Sequence, residues 1–229
     1  MRNRLSALHT RLPYQRHYLS IGGKIMKRLV LVRHGSTDSN ATGVMRGWTD
    51  DPLSQAGRHQ AEHAGKYLKT LEPFECIYSS DLRRAVQTAN LIAADLQIPT
   101  RTRVELRELN LGKLEGRTEQ ELWNYFTKQS GTGVGPSTMA FADVSFPGGE
   151  AASQFIQRTQ KAFAEIMANH QDSVLVVSHG AQTMVMLGMW FEKDLTKWTQ
   201  FRVDNCSVSE IIFEPAPRLV RVNDTAHLV

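Results

Sequence analysis

Apolar positions along the chain follow two alternating periods. Leu29-Val30-Leu31-Val32 is an unbroken β-branched-rich run with the length of a strand buried on both faces, and it runs into Arg33-His34-Gly35. Ala61, Ala64, Leu68 and Leu71 then recur at helical spacing. Ser54 stands before them as an N-cap type and Pro73 beyond them as a stop. Cys76-Ile77-Tyr78 predicts a second strand ending at Ser79-Ser80-Asp81. Val86, Ala89, Ile92, Ala93 and Leu96 predict a helix that stops before Pro99. A third helix is predicted over about Ala152–His170, with Phe155, Ile156, Thr159, Ala162, Phe163 and Ile166 inward. Val174-Leu175-Val176-Val177 is the clearest strand, leading into Ser178-His179-Gly180 and another apolar helix. Ser207–Phe213 and Leu219–Val222, separated by Pro215-Ala216-Pro217, predict an antiparallel hairpin.

Strands that alternate with helices imply an α/β fold, a three-layer sandwich with a mostly parallel central sheet and helices on both faces. Such sheets bind ligands beyond the carboxyl ends of their strands. Arg33-His34, Ser79-Ser80 and Ser178-His179 all stand at that edge. Thr127–Phe146 is rich in Gly, Ser and Thr without a period, and reads as a lid or specificity loop over the rim.

Composition is that of an ordinary globular chain: 229 residues, 41% hydrophobic and 22% charged, which excludes a disordered or collagen-like polymer. The longest nearly apolar run, Met184 to Phe191, is far short of the ~20 residues that span a bilayer, so no membrane helix is expected. A pI near 9.2 raises the question of nucleic acid. Five of the 27 basic residues, however, lie in residues 1–25 with no acid among them, leaving 22 basic against 23 acidic residues in 26–229. The basicity belongs to residues 1–25, which share the Arg-rich, acid-free bias of an organelle transit peptide; the favoured reading is a disordered N-terminal extension or a start placed too early, with Met26 suiting the true start and the folded domain at 26–229. No basic stripe marks the domain for nucleic acid. Cys76 and Cys206 are too few for a disulfide framework and read as small core residues of a cytoplasmic protein.

The rim residues fall into ordered segments. Arg33-His34-Gly35-Ser36-Thr37-Asp38-Ser39-Asn40 follows the first strand. Gly47-Trp48-Thr49-Asp50-Asp51-Pro52-Leu53-Ser54, with Gly57 and Gln60-Ala61, comes next. Ser79-Ser80-Asp81-Leu82-Arg83-Arg84-Ala85-Val86-Gln87-Thr88-Ala89 follows the second strand. Leu106-Arg107-Glu108 with Gly112-Lys113-Leu114-Glu115-Gly116 is the fourth. Pro147-Gly148-Gly149-Glu150 and Val176-Val177-Ser178-His179-Gly180 close the set. Together they resemble, in order and over about Met26 to Phe213, the histidine phosphatase (phosphoglycerate mutase-like) superfamily.

The resemblance implies phosphoryl transfer through a phosphohistidine, with His34 as nucleophile, Glu108 as general acid, and Arg33, Asn40, Arg84 and His179 around the phosphate. The residue chemistry agrees. Guanidinium groups fork onto phosphate oxygens and disfavour protonation of a neighbouring imidazole. Gly35 is suited to close backbone approach beside the nucleophile. Burial of Glu108 against apolar walls is expected to raise its pKa toward working pH. The resemblance implies no metal and no cofactor, and a P-loop of the Lys-[Ser/Thr] type is absent.

Blander readings compete at several positions. His59-Gln60-Ala61-Glu62-His63 spells a zinc-peptidase pattern, but flanking Arg58 and Lys66 and the lack of a third ligand favour a solvated helix face. Glu150 has two readings open to it, a helix-start acid or a partner of an active-site His. Arg158 has two also, the site or solvent. Trp123, Tyr125 and Phe126 read as cover for the core, and Arg83 as solvated.

Within the family, a mutase keeps the phosphohistidine and returns the phosphoryl group, whereas a phosphatase gives it to water. Family mutases resemble one another in a basic segment with adjacent arginines after the acid. Here residues 118–147 hold one basic residue, Lys128. The expectation is a phosphomonoesterase for a small phosphate ester, with phosphoglycerate mutase as alternative and a non-catalytic phosphate-binding scaffold as a remote third. Gly43, Arg46 and Glu150 are the expected substrate-loop residues, and Arg46, Lys113 and Arg117 stay available for further substrate anions. Oligomeric state is not legible.

Overall fold

The computed structural model describes residues 27–130, 144–191, 201–213 and 217–229. The basic extension and residues 131–143 of the expected loop lie outside the described residues. In chain order the elements are β1 (Arg28–Arg33), α1 (Asp38–Ala41), α2 (Gln55–Lys69), β2 (Cys76–Ser80), α3 (Arg83–Leu96), β3 (Thr100–Arg103), α4 (Glu119–Ser130), α5 (Ala152–Asn169), β4 (Ser173–Ser178), α6 (Gly180–Phe191), β5 (Val208–Ile212) and β6 (Arg218–Asp224). The strands form one six-stranded sheet in the order β3-β2-β4-β1-β5-β6. The first four are mutually parallel; β5 and β6 are antiparallel additions at the edge.

The continuous apolar runs explain why the sheet is covered on both faces. Successive strand side chains point to opposite faces, so a run without polar alternation needs two apolar layers. Leu29 and Leu31 of β1, with Val174 and Val176 of β4, join the layer of Phe155, Phe163 and Ile166 from α5 and Met186 and Leu187 from α6. Val30, Val32, Leu175 and Val177 face the other way, onto Ala61, Ala64 and Leu68 of α2 and Ala85, Ala89 and Ile92 of α3. Helix α2 starts where Ser54 accepts from the Gly57 N–H, as its residue type predicts.

Two elements were not legible. β3 is an edge strand of Thr and Arg, two of its four residues exposed and two half-buried, with no apolar period to announce it. α4 extends to Ser130, so Thr127–Ser130, expected to open the loop, complete a helix instead. At the other end of that stretch Val144 and Phe146 are core residues. Tyr125 and Phe126 pack against the α5–α6 layer, as cover for the core. Among the described residues no helix is long and apolar enough to cross a membrane.

The turn after β1 packs against α2 through two glycines. A Cβ on Gly35 would stand 2.4 Å from the Gly57 carbonyl oxygen, and one on Gly57 would stand 2.0 Å from that of Ser36. The same Ser36 carbonyl accepts from the Ser54 N–H at 2.9 Å, so it cannot swing aside cheaply. In an open helix Gly→Ala stabilises by ~1 kcal/mol. Here the overlap is with main chain, and overpacking of that kind costs about 1–3 kcal/mol or more. Gly57→Ala is therefore expected to lower the Tm by about 4–8 °C. A thermal melt showing an unchanged or higher Tm contradicts the close approach.

Candidate active site

The parallel pairing of β1 with β4 aligns Arg33 with Ser178, so the next residues, His34 and His179, leave the sheet side by side. The chain after β1 continues to α2 on one face, and the chain after β4 continues to α6 on the other. Adjacent strands whose connections diverge in this way open a crevice at their carboxyl ends. The two imidazoles meet there with centroids 5.1 Å apart at 60°. His34 is 4% exposed and His179 fully buried.

His34 is held in one tautomer. Its Nδ1–H donates to the Gly35 carbonyl at 2.8 Å, which leaves Nε2 with a free lone pair. That lone pair accepts from Arg84 Nε at 3.2 Å. Burial, followed by the charges of Arg84 and Arg33, holds the His34 pKa well below the ordinary 6.5. The same causes in the same order, with His34 itself between the two arginines, depress His179. Loss of hydration thus outweighs the neighbouring cations, which are the cause the residue types alone point to.

Arg84 is brought in by the first turn of α3. Its Nη1 and Nη2 donate to the carbonyls of Thr49 and Gly47, both at 2.8 Å. One turn later Thr88 accepts from the Gly35 N–H at 3.0 Å. The Arg–Thr spacing of four therefore lets one helix face hold both the cation and the nucleophile's turn. Gln60 of α2 takes the Ser36 N–H at 2.9 Å. Arg33 donates from Nη1 to the Val203 carbonyl at 2.6 Å. Its Nε and both ring nitrogens of His179 are buried without a hydrogen-bond partner among the described residues. Three such atoms converging on one crevice are the mark of a polar ligand site.

Glu108 lies on the same crevice. A Cβ built on Gly180 would be 3.7 Å from Arg33 Cζ and 3.8 Å from Glu108 Oε2, which places acid and cation at the amino end of α6. The carboxylate accepts from the Leu109 N–H at 2.9 Å and the Ala181 N–H at 3.2 Å. The side chain is half-buried, and its carboxylate is bonded to main chain.

The remaining expected residues sit differently. Asn40 belongs to α1, where its Oδ1 accepts from the Thr37 N–H at 3.1 Å and from Asn205 Nδ2 at 3.2 Å. Arg46 is paired with Asp51 at 3.0 Å. Gly43 makes a left-handed turn at φ +69°. Glu150 stands directly before the N-cap of α5, at the helix start, and among the described residues its carboxylate bonds Arg158 and the Asn110 N–H rather than an active-site His. Arg158 turns inward rather than to solvent, and Arg83 is exposed. Arg107, quoted only as the neighbour of Glu108, forks onto Asp81 at 2.7 and 2.6 Å. His59, Glu62 and His63 are exposed on α2, and no group of three His, Cys, Asp or Glu among the described residues is placed to hold a metal.

Two supports were missed. Asn205 donates to the His34 carbonyl at 3.0 Å, and the Cys206 N–H to that of Arg33 at 3.0 Å. Glu115 accepts from the Trp48 and Thr49 N–H groups at 2.6 and 3.1 Å, bracing the loop whose carbonyls grip Arg84. Neither sits in a periodic pattern; Glu115 alone carried a signal, in the Gly-Lys-Leu-Glu-Gly match. Burial pushes the Cys206 thiol up to about 12, which removes it as a nucleophile.

A family model described as histidine phosphatase superfamily (branch 1) matches residues 29–225. The chain is 31% identical over 216 residues to the "Probable phosphoglycerate mutase GpmB" of Proteus mirabilis (strain HI4320), covering 89% of this chain and 95% of that one. Among solved structures, the alpha-ribazole phosphatase of Shigella flexneri superposes with a TM-score of 0.74 at 26% identity, over 86% of this chain and 96% of that one. A mycobacterial glucosyl-3-phosphoglycerate phosphatase, in a structure with VO3, gives 0.73 at 27% identity, over 86% and 98%.

Two outcomes follow from this electrostatics. Where activity depends on the neutral His34 imidazole, the acid limb of kcat/KM is expected below pH 6.5; a limb at or above that value contradicts the buried neutral imidazole. Because folding depresses both histidines, the unfolded chain binds more protons below pH 6.5. Their share of stability is intact above that value and is lost as pH falls through the folded values. Separately, orthovanadate at about 100 times its Kd is expected to stabilise by ~2.7 kcal/mol, raising the Tm by about 5–10 °C. Arg84→Ala should abolish most of that shift; an equal shift in the variant would place the anion elsewhere.

Proposed function

The chain belongs to the histidine phosphatase superfamily, branch 1, and from that premise we propose that it hydrolyses a small phosphate monoester through a phosphohistidine. The observation that carries the reading is the His34 tautomer: Nδ1–H is spent on Gly35, and Nε2 offers its lone pair among two arginines and beside His179, whose neutral ring has one N–H to donate.

In this reading the substrate's phosphoryl oxygens take over the Arg84 Nε–H that now rests on His34, which frees Nε2 to attack phosphorus. The bond from phosphorus to the ester oxygen breaks as the Glu108 carboxyl gives that oxygen its proton, and an alcohol leaves. A water then attacks the phosphohistidine. Glu108 takes its proton, the phosphorus–nitrogen bond breaks, and inorganic phosphate is released. Arg33, Arg84 and the amino end of α6 stabilise charge on the equatorial oxygens throughout. Asn40 serves here through its amide, beside the carbonyl it lends to α1.

Water as acceptor is supported by the single basic residue in 118–147 and by phosphatases among the structural neighbours, such as the alpha-ribazole and glucosyl-3-phosphoglycerate phosphatases. One observation favours the mutase alternative: the Proteus relative is named as a probable phosphoglycerate mutase. The two separate in one assay, with para-nitrophenyl phosphate in one arm and 3-phosphoglycerate plus its bisphosphate in the other. Steady phosphate release with slow mutase turnover is expected; rapid mutase turnover with negligible release would overturn the hydrolase reading. Quenched enzyme should also carry acid-labile phosphate, and His34→Ala should carry none and lose activity by at least ~10³-fold. Labelled phosphate persisting on the variant would remove His34 as nucleophile.

A further inference from the structure

Glu108 lies in a segment, 107–110, that belongs to no helix or strand. No ladder or helical turn fixes its place, yet the proton it is read to deliver requires one. The structure shows what holds it. The Glu108 carbonyl oxygen accepts two side-chain hydrogen bonds, from Trp48 Nε1 at 2.7 Å and from Arg158 Nη2 at 2.7 Å. Trp48 comes from the loop before α2, and Arg158 from α5. The two grips come from separate parts of the chain.

Each grip is itself braced. Arg158 Nη1 donates to the carbonyls of Glu105 and Arg107 at 2.9 and 2.8 Å, so one guanidinium gathers three carbonyls of a four-residue stretch. Its Nε and Nη2 fork onto Glu150 at 2.9 and 2.6 Å. That pairing neutralises a half-buried cation and sets the plane of the fork. The Trp48 N–H is held by Glu115, and Arg107 lies over the indole at 4.8 Å while forked onto Asp81. A lone surface ion pair needs none of this, and a partly buried pair is weak evidence of stability on its own. The two grips meet on one atom, the Glu108 carbonyl oxygen.

We propose that Arg158 and Trp48 are positioning residues for the general acid, clamping the Glu108 main chain so that its carboxyl meets the leaving-group oxygen. The proposal rests on the reading of Glu108 as that acid. A displacement of ~1 Å at a reacting group can cost ~10²-fold, and a general acid contributes ~10²–10⁴-fold, so loosening the clamp should cost a large part of that contribution. The cost falls on substrates that need a proton. Para-nitrophenolate leaves without one, whereas an alkoxide does not.

The test compares kcat/KM for para-nitrophenyl phosphate and propyl phosphate in wild type, Arg158→Lys, Trp48→Phe and Glu108→Gln. This parameter covers the steps up to phosphorylation of His34 and leaves out the later hydrolysis. Arg158→Lys is expected to lower the propyl-to-aryl ratio by ~10-fold or more, and Trp48→Phe, which loses one bond and keeps the ring, by about 3–5-fold. The aryl value itself should fall by less than about threefold in both. Equal losses on the two substrates, or no loss on either, overturn the clamp. If Arg158→Lys fails to fold, Trp48→Phe decides alone. A Glu108→Gln enzyme whose propyl-to-aryl ratio stays at the wild-type value refutes the general-acid reading, and the clamp with it. A fallen ratio in Glu108→Gln beside unchanged ratios in the other two refutes the clamp alone.

Discussion

The parallel register of β1 on β4 is the constraint from which the site is built. It places two strand ends next to each other, and each delivers a histidine. Since the chain leaves β1 toward one face and β4 toward the other, no connecting helix crosses between the two rings. Everything else that touches the crevice arrives at a place this pair has already defined: Arg84 on α3, Arg33 from β1 itself, and Glu108 from the loop after β3. Had β2 taken the position beside β1, His34 would face Ser80 and Asp81 rather than a second imidazole.

The crevice works against the stability of the chain and in favour of its chemistry. Two imidazoles are stripped of water and kept uncharged beside permanent cations. Three buried nitrogens of the crevice have no hydrogen-bond partner among the described residues. Each unmet polar group costs on the order of 1–3 kcal/mol, which the two apolar layers of the sheet must offset. The arrangement suits an anion, which would supply hydrogen-bond acceptors and negative charge together.

Around the reacting groups lies a ring of bonds from side chains to main chain. Thr88 and Gln60 hold the turn of His34, Asn205 holds its carbonyl, and Glu115 holds the loop that grips Arg84. Arg158 and Trp48 do the same for Glu108. Loops cannot hold a geometry through backbone pairing, so side chains from rigid elements take over that task. The facing glycines 35 and 57 add a steric counterpart, since they let a turn and a helix touch main chain to main chain.

Much of this was legible in one dimension because period and punctuation are local. Both faces of β1 and β4, the inward stripes of α2, α3 and α5, and the closing hairpin follow from the spacing of apolar residues. The ordered segments identified the family. β3 escaped because an edge strand of Thr and Arg carries no apolar period, and α4 because its polar face hides a weak stripe. The sequence by itself determined the residue types that reach the rim, and therefore the chemistry they are fit for. Which partner each takes was decided only by the folded chain. Arg158 and Glu150 each had two readings, and both were settled by where α5 lies against the loop of Glu108. The physical reason is distance: a hydrogen bond reads positions in space, and residues fifty apart in sequence acquire them only when the sheet forms.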